Sequence, residues 1–275
     1  SILGKLPGGS SAILTGRGGG HKPPEEPYGL SLVAAADGKS LWDRAIGGYP
    51  AAQNATWSGE RAHFFAGGEH HSLAVGTGKP IDSVSVTEGV RITRWKEKAY
   101  ETVENGKLTK AKKPITYFTN VVVGNYHYFR SFGGFLIGRV NLKSGKVEYL
   151  KVPVQVIRKA GGEEEVLWEK SLPNDMKNAK GHRATRDKRN EGSGWGHVSS
   201  APPVVVGDLI YFPTMVGMVY VLKWKAPRLD ADALVSLGDL GPAGKTWSLS
   251  GLACANGRLY ARTLKELICL GRDED

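Results

Sequence analysis

The stretch Val204-Val205-Val206-Gly207-Asp208-Leu209-Ile210-Tyr211 decides the fold, because the chain repeats it. An apolar run, a two-residue turn and a second run ending in an aromatic residue form an antiparallel hairpin. The same piece returns as Val121-Val122-Val123-Gly124-Asn125-Tyr126-His127-Tyr128 and as Leu252-Ala253-Cys254-Ala255-Asn256-Gly257-Arg258-Leu259-Tyr260. A weaker copy is Trp57-Ser58-Gly59-Glu60-Arg61-Ala62-His63-Phe64. Asn256-Gly257 tolerates the positive φ that a type I′ hairpin turn requires. Recurrence of one supersecondary piece marks a repeat architecture.

A second piece alternates with the first: a strand, a tight turn with Gly-Lys, and another strand. It reads Leu32-Val33-Ala34-Ala35-Ala36-Asp37-Gly38-Lys39-Ser40-Leu41-Trp42. It recurs as Leu73-Ala74-Val75-Gly76-Thr77-Gly78-Lys79-Pro80-Ile81 and as Val140-Asn141-Leu142-Lys143-Ser144-Gly145-Lys146-Val147-Glu148-Tyr149. At this turn the chain resembles the pyrroloquinoline-quinone-like (quinoprotein-like) propeller family, whose blades carry A-x-D-x-x-T-G-K-x-x-W. Trp42 stands at the tryptophan position of that pattern, and Tyr149 is a looser match. The resemblance implies an all-β fold, a β-propeller of four-stranded antiparallel blades.

Five blade units follow, at about 1–47, 48–88, 114–154, 199–239 and 245–275, as one propeller domain. Their second strands carry Leu14, Phe64, Tyr128, Tyr211 and Tyr260, spaced by 50, 64, 83 and 49 residues. The two long spacings place insertions at about 89–113 and 155–198. The fifth unit ends after its third strand. Either Ile2-Leu3-Gly4 supplies the strand that closes the ring, or the chain is the C-terminal part of a seven- or eight-bladed propeller; the resemblance favours the second.

Bulk properties agree with one large β domain. The 275 residues are 40% hydrophobic and include 37 Gly and 14 Pro, dispersed as many tight turns would need. The net charge of +10 fits an acidic partner or a basic, soluble surface. No DNA- or RNA-binding motif accompanies it, so nucleic acid is not expected. No apolar run approaches the roughly 20 residues of a membrane helix, and Ser1 opens without a signal peptide, so any export signal was removed or never present. The two cysteines, Cys254 and Cys269, fit neither a zinc site nor a disulfide framework. They fall two strands apart, about 9.6 Å, too far for a bridge, and read as small buried residues.

Strand alternation places the short Gly-Lys turns on one face of the propeller, which reads as structural. The loops between second and third strands, and both insertions, gather on the other. Loops held on a rigid scaffold are where binding usually resides. Candidate ligand-binding residues there are Arg17 and His21 in the first such loop, Arg130 in the third, and His182, Arg183, Arg186, Trp195 and His197 in the second insertion. Arg offers bidentate contacts to carboxylate, sulfate or phosphate, and Trp195 among glycines can stack on a ring. Alternatively the basic run is a solvated loop. Glu69, His70 and His71 form a candidate metal set through imidazole and carboxylate. Neighbours on an extended chain point opposite ways, so at most one of the two histidines would ligate. His63 and His127 read as packing or hydrogen-bonding residues.

No G-x-S-x-G, H-E-x-x-H or G-x-x-x-x-G-K-[ST] occurs, and Gly18-Gly19-Gly20 leads into Pro23-Pro24 rather than a helix. The resemblance admits two functions. One is a non-catalytic binding or scaffold propeller without a cofactor, presenting a basic face to a protein partner, an anionic glycan or a small anionic molecule. The other is a quinone-dependent dehydrogenase with PQQ and calcium on the propeller axis, or a fragment of one. Family enzymes typically carry adjacent cysteines, absent here, and Trp docking motifs in most blades. A polysaccharide hydrolase or lyase has little support beyond His, Arg and Trp on one face. The resemblance also implies export to the periplasm or outside the cell.

Overall fold

The Gly-Lys pairs at 38–39, 78–79 and 145–146 each close the same five-residue turn. In the computed structural model, which describes residues 1–17, 29–46, 54–108, 120–131, 134–169, 177–178, 180–183, 201–241, 246, 248 and 250–271, its hydrogen bonds recur three times. Ala34, Ala74 and Asn141 each accept from the glycine N–H and donate to the lysine carbonyl. The glycines sit at φ of +72°, +66° and +69°, a left-handed conformation that side chains resist. The preceding residue, Asp37, Thr77 or Ser144, accepts from the lysine N–H. A small oxygen-bearing residue before Gly-Lys thus caps the lysine N–H in all three turns.

These turns join the outer strands of antiparallel blades. The first blade comprises β1 (Ile2–Lys5), β2 (Ser11–Arg17), β3 (Gly29–Ala34) and β4 (Ser40–Ala45), paired in that order. The second comprises β5 (Thr56–Ser58), β6 (Arg61–Ala66), β7 (Glu69–Ala74) and β8 (Pro80–Ser85). A hairpin follows, β9 (Glu88–Lys96) with β10 (Ala99–Lys107). The third blade is β11 (Asn120–Val123), β12 (Tyr126–Arg130), β13 (Leu136–Asn141) and β14 (Val147–Lys151). A second, separate hairpin pairs β15 (Gln155–Arg158) with β16 (Glu164–Leu167). The fourth blade is β17 (Val204–Val206), β18 (Leu209–Pro213), β19 (Met218–Lys223) and β20 (Leu234–Asp239); the fifth is described over β21 (Ala253–Ala255), β22 (Arg258–Arg262) and β23 (Leu267–Leu270).

The architecture is a β-propeller of five blades, nearly all β. First strands of neighbouring blades touch, β1 against β5 and β5 against β11. Apolar seams run between successive sheets. Leu14, Leu30 and Leu32 meet Ala62, Phe64 and Leu73 between blades one and two. Tyr128, Ile137 and Leu150 meet Ile210, Tyr220 and Leu222 between blades three and four. Val219 meets Ala261 between blades four and five. The first insertion is not a loop. Its strand β9 adds in parallel to the outer strand of blade three, Arg91 beside Glu148 and Thr93 beside Leu150, making a six-stranded sheet.

Three expectations change. Ile2–Lys5 is the inner strand of the first blade, in register with Ser11–Leu14, and does not complete the fifth. Tyr149 does not occupy the docking position of Trp42: its ring packs between β9 and Phe129, and its hydroxyl donates to the Val86 carbonyl. The cysteines are exposed rather than buried. Cys254 lies opposite Leu259 and Cys269 opposite Tyr260, so they point to opposite faces of a blade covered only on its fourth-blade side among the described residues.

Trp42 of blade one docks on the turn of blade two. Its indole N–H donates to Val75 at 2.7 Å, and its ring fills the place a Cβ on Gly78 would need. Gly78→Ala then both strains a positive φ and displaces the indole, costing about 2 kcal/mol. Urea unfolding of Gly78→Ala, Trp42→Ala and the double variant checks this. The double should cost clearly less than the two singles together; simple additivity would show that the two residues do not act as a pair.

Candidate functional site

At the end of β14 where the loop-rich face begins, aromatic side chains join the two insertions. Trp95 of β9 stacks on Trp168, just after β16, with centroids 4.4 Å apart and planes 7° from parallel. Tyr100 of β10 meets both rings edge-on. Its hydroxyl donates to the Lys151 carbonyl, and burial pushes its pKa up to about 12. Lys151 lies over the Phe135 ring and pairs with Glu169 at 3.1 Å. Segments far apart in sequence thus form one platform, anchored on the third blade.

Charges on the hairpins largely cancel. Arg91–Glu104, Lys107–Glu88, Arg158–Glu164 and Lys159–Glu165 are cross-strand ion pairs. Positive charge with no ion-pair partner among the described residues lies further along the second insertion. There the Asn178 side-chain oxygen accepts from the Lys180 and His182 N–H groups, and the backbones of Lys177 and Arg183 form an isolated antiparallel β-bridge. The short turn displays Lys177, Lys180, His182 and Arg183, all exposed. Two candidate residues are therefore neighbours on a defined turn. Arg186, Trp195, His197 and His21 lie outside the described residues. Arg17 is half exposed and 3.6 Å from Asp43. Arg130 is not on the loop surface: it is 2% exposed at the end of β12, and burial, opposed by Tyr220, lowers its pKa to about 10.

The candidate metal set divides as strand alternation requires. Glu69 and His71 share one face, 3.7 Å apart, and the His71 ring stacks on Phe64. His70 turns the other way, into the seam between blades two and three. There His70 Nε2 and His127 Nδ1 are 3.0 Å apart, His127 Nε2 meets Asn120 Oδ1 at 2.9 Å, and His63 Nδ1 meets the Ser72 hydroxyl at 3.1 Å. The His63 and His70 rings stack at 5.3 Å. This buried group was not legible as a cluster, since its members come from two blades. Among the described residues, no group of three or more His, Cys, Asp or Glu is arranged to hold a metal ion. The two cysteines lie on separate strands and on opposite faces of their blade.

No family model matches the chain, and no curated protein matches it. Among solved structures, it is similar to BamB from Moraxella catarrhalis at 14% identity, over 97% of this chain and 80% of that one, with a TM-score of 0.31. It is similar to the computationally designed Ika4 protein at 8% identity, over 82% and 95% of the two chains, with a TM-score of 0.41. It is also similar to the quinohemoprotein alcohol dehydrogenase ADHIIG from Pseudomonas putida HK5, at 11% identity over 86% of this chain and 36% of that one, with a TM-score of 0.46. None of these likenesses is close enough to carry an activity over. Among the described residues no helix is long and apolar enough to cross a membrane.

The histidine seam makes stability depend on pH. Burial lowers the His63 and His70 pKa values to about 4 and about 3, and His127 well below its ordinary value; Arg61 adds to this at His63, and the neighbouring histidines add to it at the other two. The unfolded chain takes up protons near pH 6.5 while the folded chain does not, so stability is lost as pH falls from 6.5 toward 4. The slope is about 1.4 kcal/mol per pH unit for each histidine. Urea melts at pH 7 and pH 5 check this, with His127→Phe giving a shallower fall. A profile flat over that range would mean that the seam is not held neutral.

Proposed function

We propose that this propeller is a non-catalytic binding scaffold whose insertion face recognises an acidic partner, a protein surface or an anionic glycan. The observation that carries the reading is the Trp95–Trp168 stack, which fixes two separate insertions to each other beside the third blade. A surface ordered before binding loses less conformational freedom on association. The exposed cations at Lys177, Lys180 and Arg183 supply the charge complementarity. An exported location, periplasmic or secreted, accompanies this reading as an expectation.

Heparin and a polyglutamate peptide serve as anionic probes at low salt. Both are expected to bind the full chain and weaken with added salt. In the variant Lys177→Ala/Lys180→Ala/Arg183→Ala, three cations at about 0.5 kcal/mol apiece amount to about a tenfold loss. Unchanged affinity in that variant would remove the basic turn from the account. PQQ added with calcium is expected to leave the melting temperature and the quinone spectrum unaltered; a clear upward shift in melting would favour the dehydrogenase reading instead.

A further inference from the structure

The opposite end of the blades, which carries the Gly-Lys turns, holds a cavity of about 460 Å³ between the third and fourth blades and the base of the β9–β10 hairpin. Its floor is built from buried ionic contacts. Arg139, with a side chain 1% exposed, is bound to Glu148, to the Tyr128 hydroxyl and to the Ala226 and Pro227 carbonyls, latching blade three to blade four. Arg91 reaches Glu104 at 2.9 Å and Glu148 at 3.4 Å. These two arginines balance the two glutamates. Lys146 and Arg228 also line the cavity, both exposed, and neither is ion-paired among the described residues. Counted with Arg139 beneath it, the cavity has four cations against two carboxylates, Glu104 and Glu148, and so an excess of positive charge.

The remaining lining supplies directional donors. Tyr126 presents its ring to the Arg139 guanidinium at 4.4 Å, while its hydroxyl has no partner among the described residues. Asn141 uses its side-chain oxygen to accept from the Lys143 and Ser144 N–H groups, which leaves its NH₂ group free to donate into the cavity. Two cations, a hydroxyl and an amide suit a tetrahedral dianion better than a single carboxylate, because a phosphate monoester carries about −1.5 to −2 at neutral pH. The volume lies within the usual range for small-molecule sites, about 300–1,000 Å³, and exceeds what a bare ion fills.

We propose that this cavity, bounded by Tyr126, Asn141, Lys146 and Arg228, binds a phosphate monoester of a small molecule, with Lys146 and Arg228 holding the phosphate. The site is separate from the insertion face, so its failure leaves the scaffold reading untouched and the reverse also holds.

Isothermal titration calorimetry of the full chain at low salt tests it, with inorganic phosphate, glycerol phosphate and glycerol as probes. Glycerol phosphate is expected to bind more tightly than inorganic phosphate, and glycerol not at all. Lys146→Ala and Arg228→Ala are each expected to weaken glycerol phosphate about tenfold. Both residues are exposed, and an unchanged melting temperature confirms that each variant folds. Tyr126→Phe, which keeps the ring on Arg139, should weaken binding by a smaller factor. Absence of any binding heat, or equal affinity in wild type and both cation variants, overturns the proposal.

Discussion

A blade of antiparallel sheet has two faces, and in this chain each internal apolar face is covered by a neighbouring blade. That requirement governs the rest of the structure. Leu14, Leu30 and Leu32 lie on the face of the first blade turned to the second, where they are buried against Ala62, Phe64 and Leu73. The same need explains why the fourth blade presents Ile210, Phe212, Tyr220 and Leu222 toward the third. Burial of such area is the dominant favourable term in folding, yet it is nondirectional, so it does not by itself set how one blade registers on the next.

Register comes from polar and aromatic anchors set into the seams. Trp42 reaches across to the turn at Gly78, and Trp224 lies over Gly124 with its indole N–H on the Gly207 carbonyl. Between blades three and four, Tyr128 donates to the Trp224 carbonyl and Tyr220 to Pro153. Arg139 satisfies Glu148 and two carbonyls at once. Between blades two and three the anchor is the histidine group around His70 and His127. Each anchor names one relative position of two sheets, since a shifted blade would leave its buried donor or acceptor without a partner.

Much of the fold could be read from residues close in sequence. The hairpins Val204–Tyr211, Val121–Tyr128 and Ala253–Tyr260 pair as their repeated pattern requires, and the Gly-Lys turns share one hydrogen-bond scheme. What was hidden depends on distant partners. The segment 88–107 has the alternation of a hairpin, but nothing local says that Arg91–Thr93 will extend the third blade. The His70–His127 contact spans 57 residues. Arg130 looks like a loop cation but is buried near Tyr220 of the fourth blade, and the cysteines look like core residues but are exposed. Of the candidate site, sequence alone located His182 and Arg183 on the second insertion, but the aromatic stack that gives this insertion a fixed place joins Trp95 to Trp168 across two insertions.

The first insertion joins the propeller as an added strand rather than as a tether. Backbone pairing of β9 with β14 makes that measurable. Native-state hydrogen exchange of the full chain, resolved over residues 90–93, reads it directly. The expected result is protection comparable to that of β13 in the interior of the same sheet. Exchange at the rate of an unstructured peptide across those residues would contradict the account, since the two insertions would then have no common support.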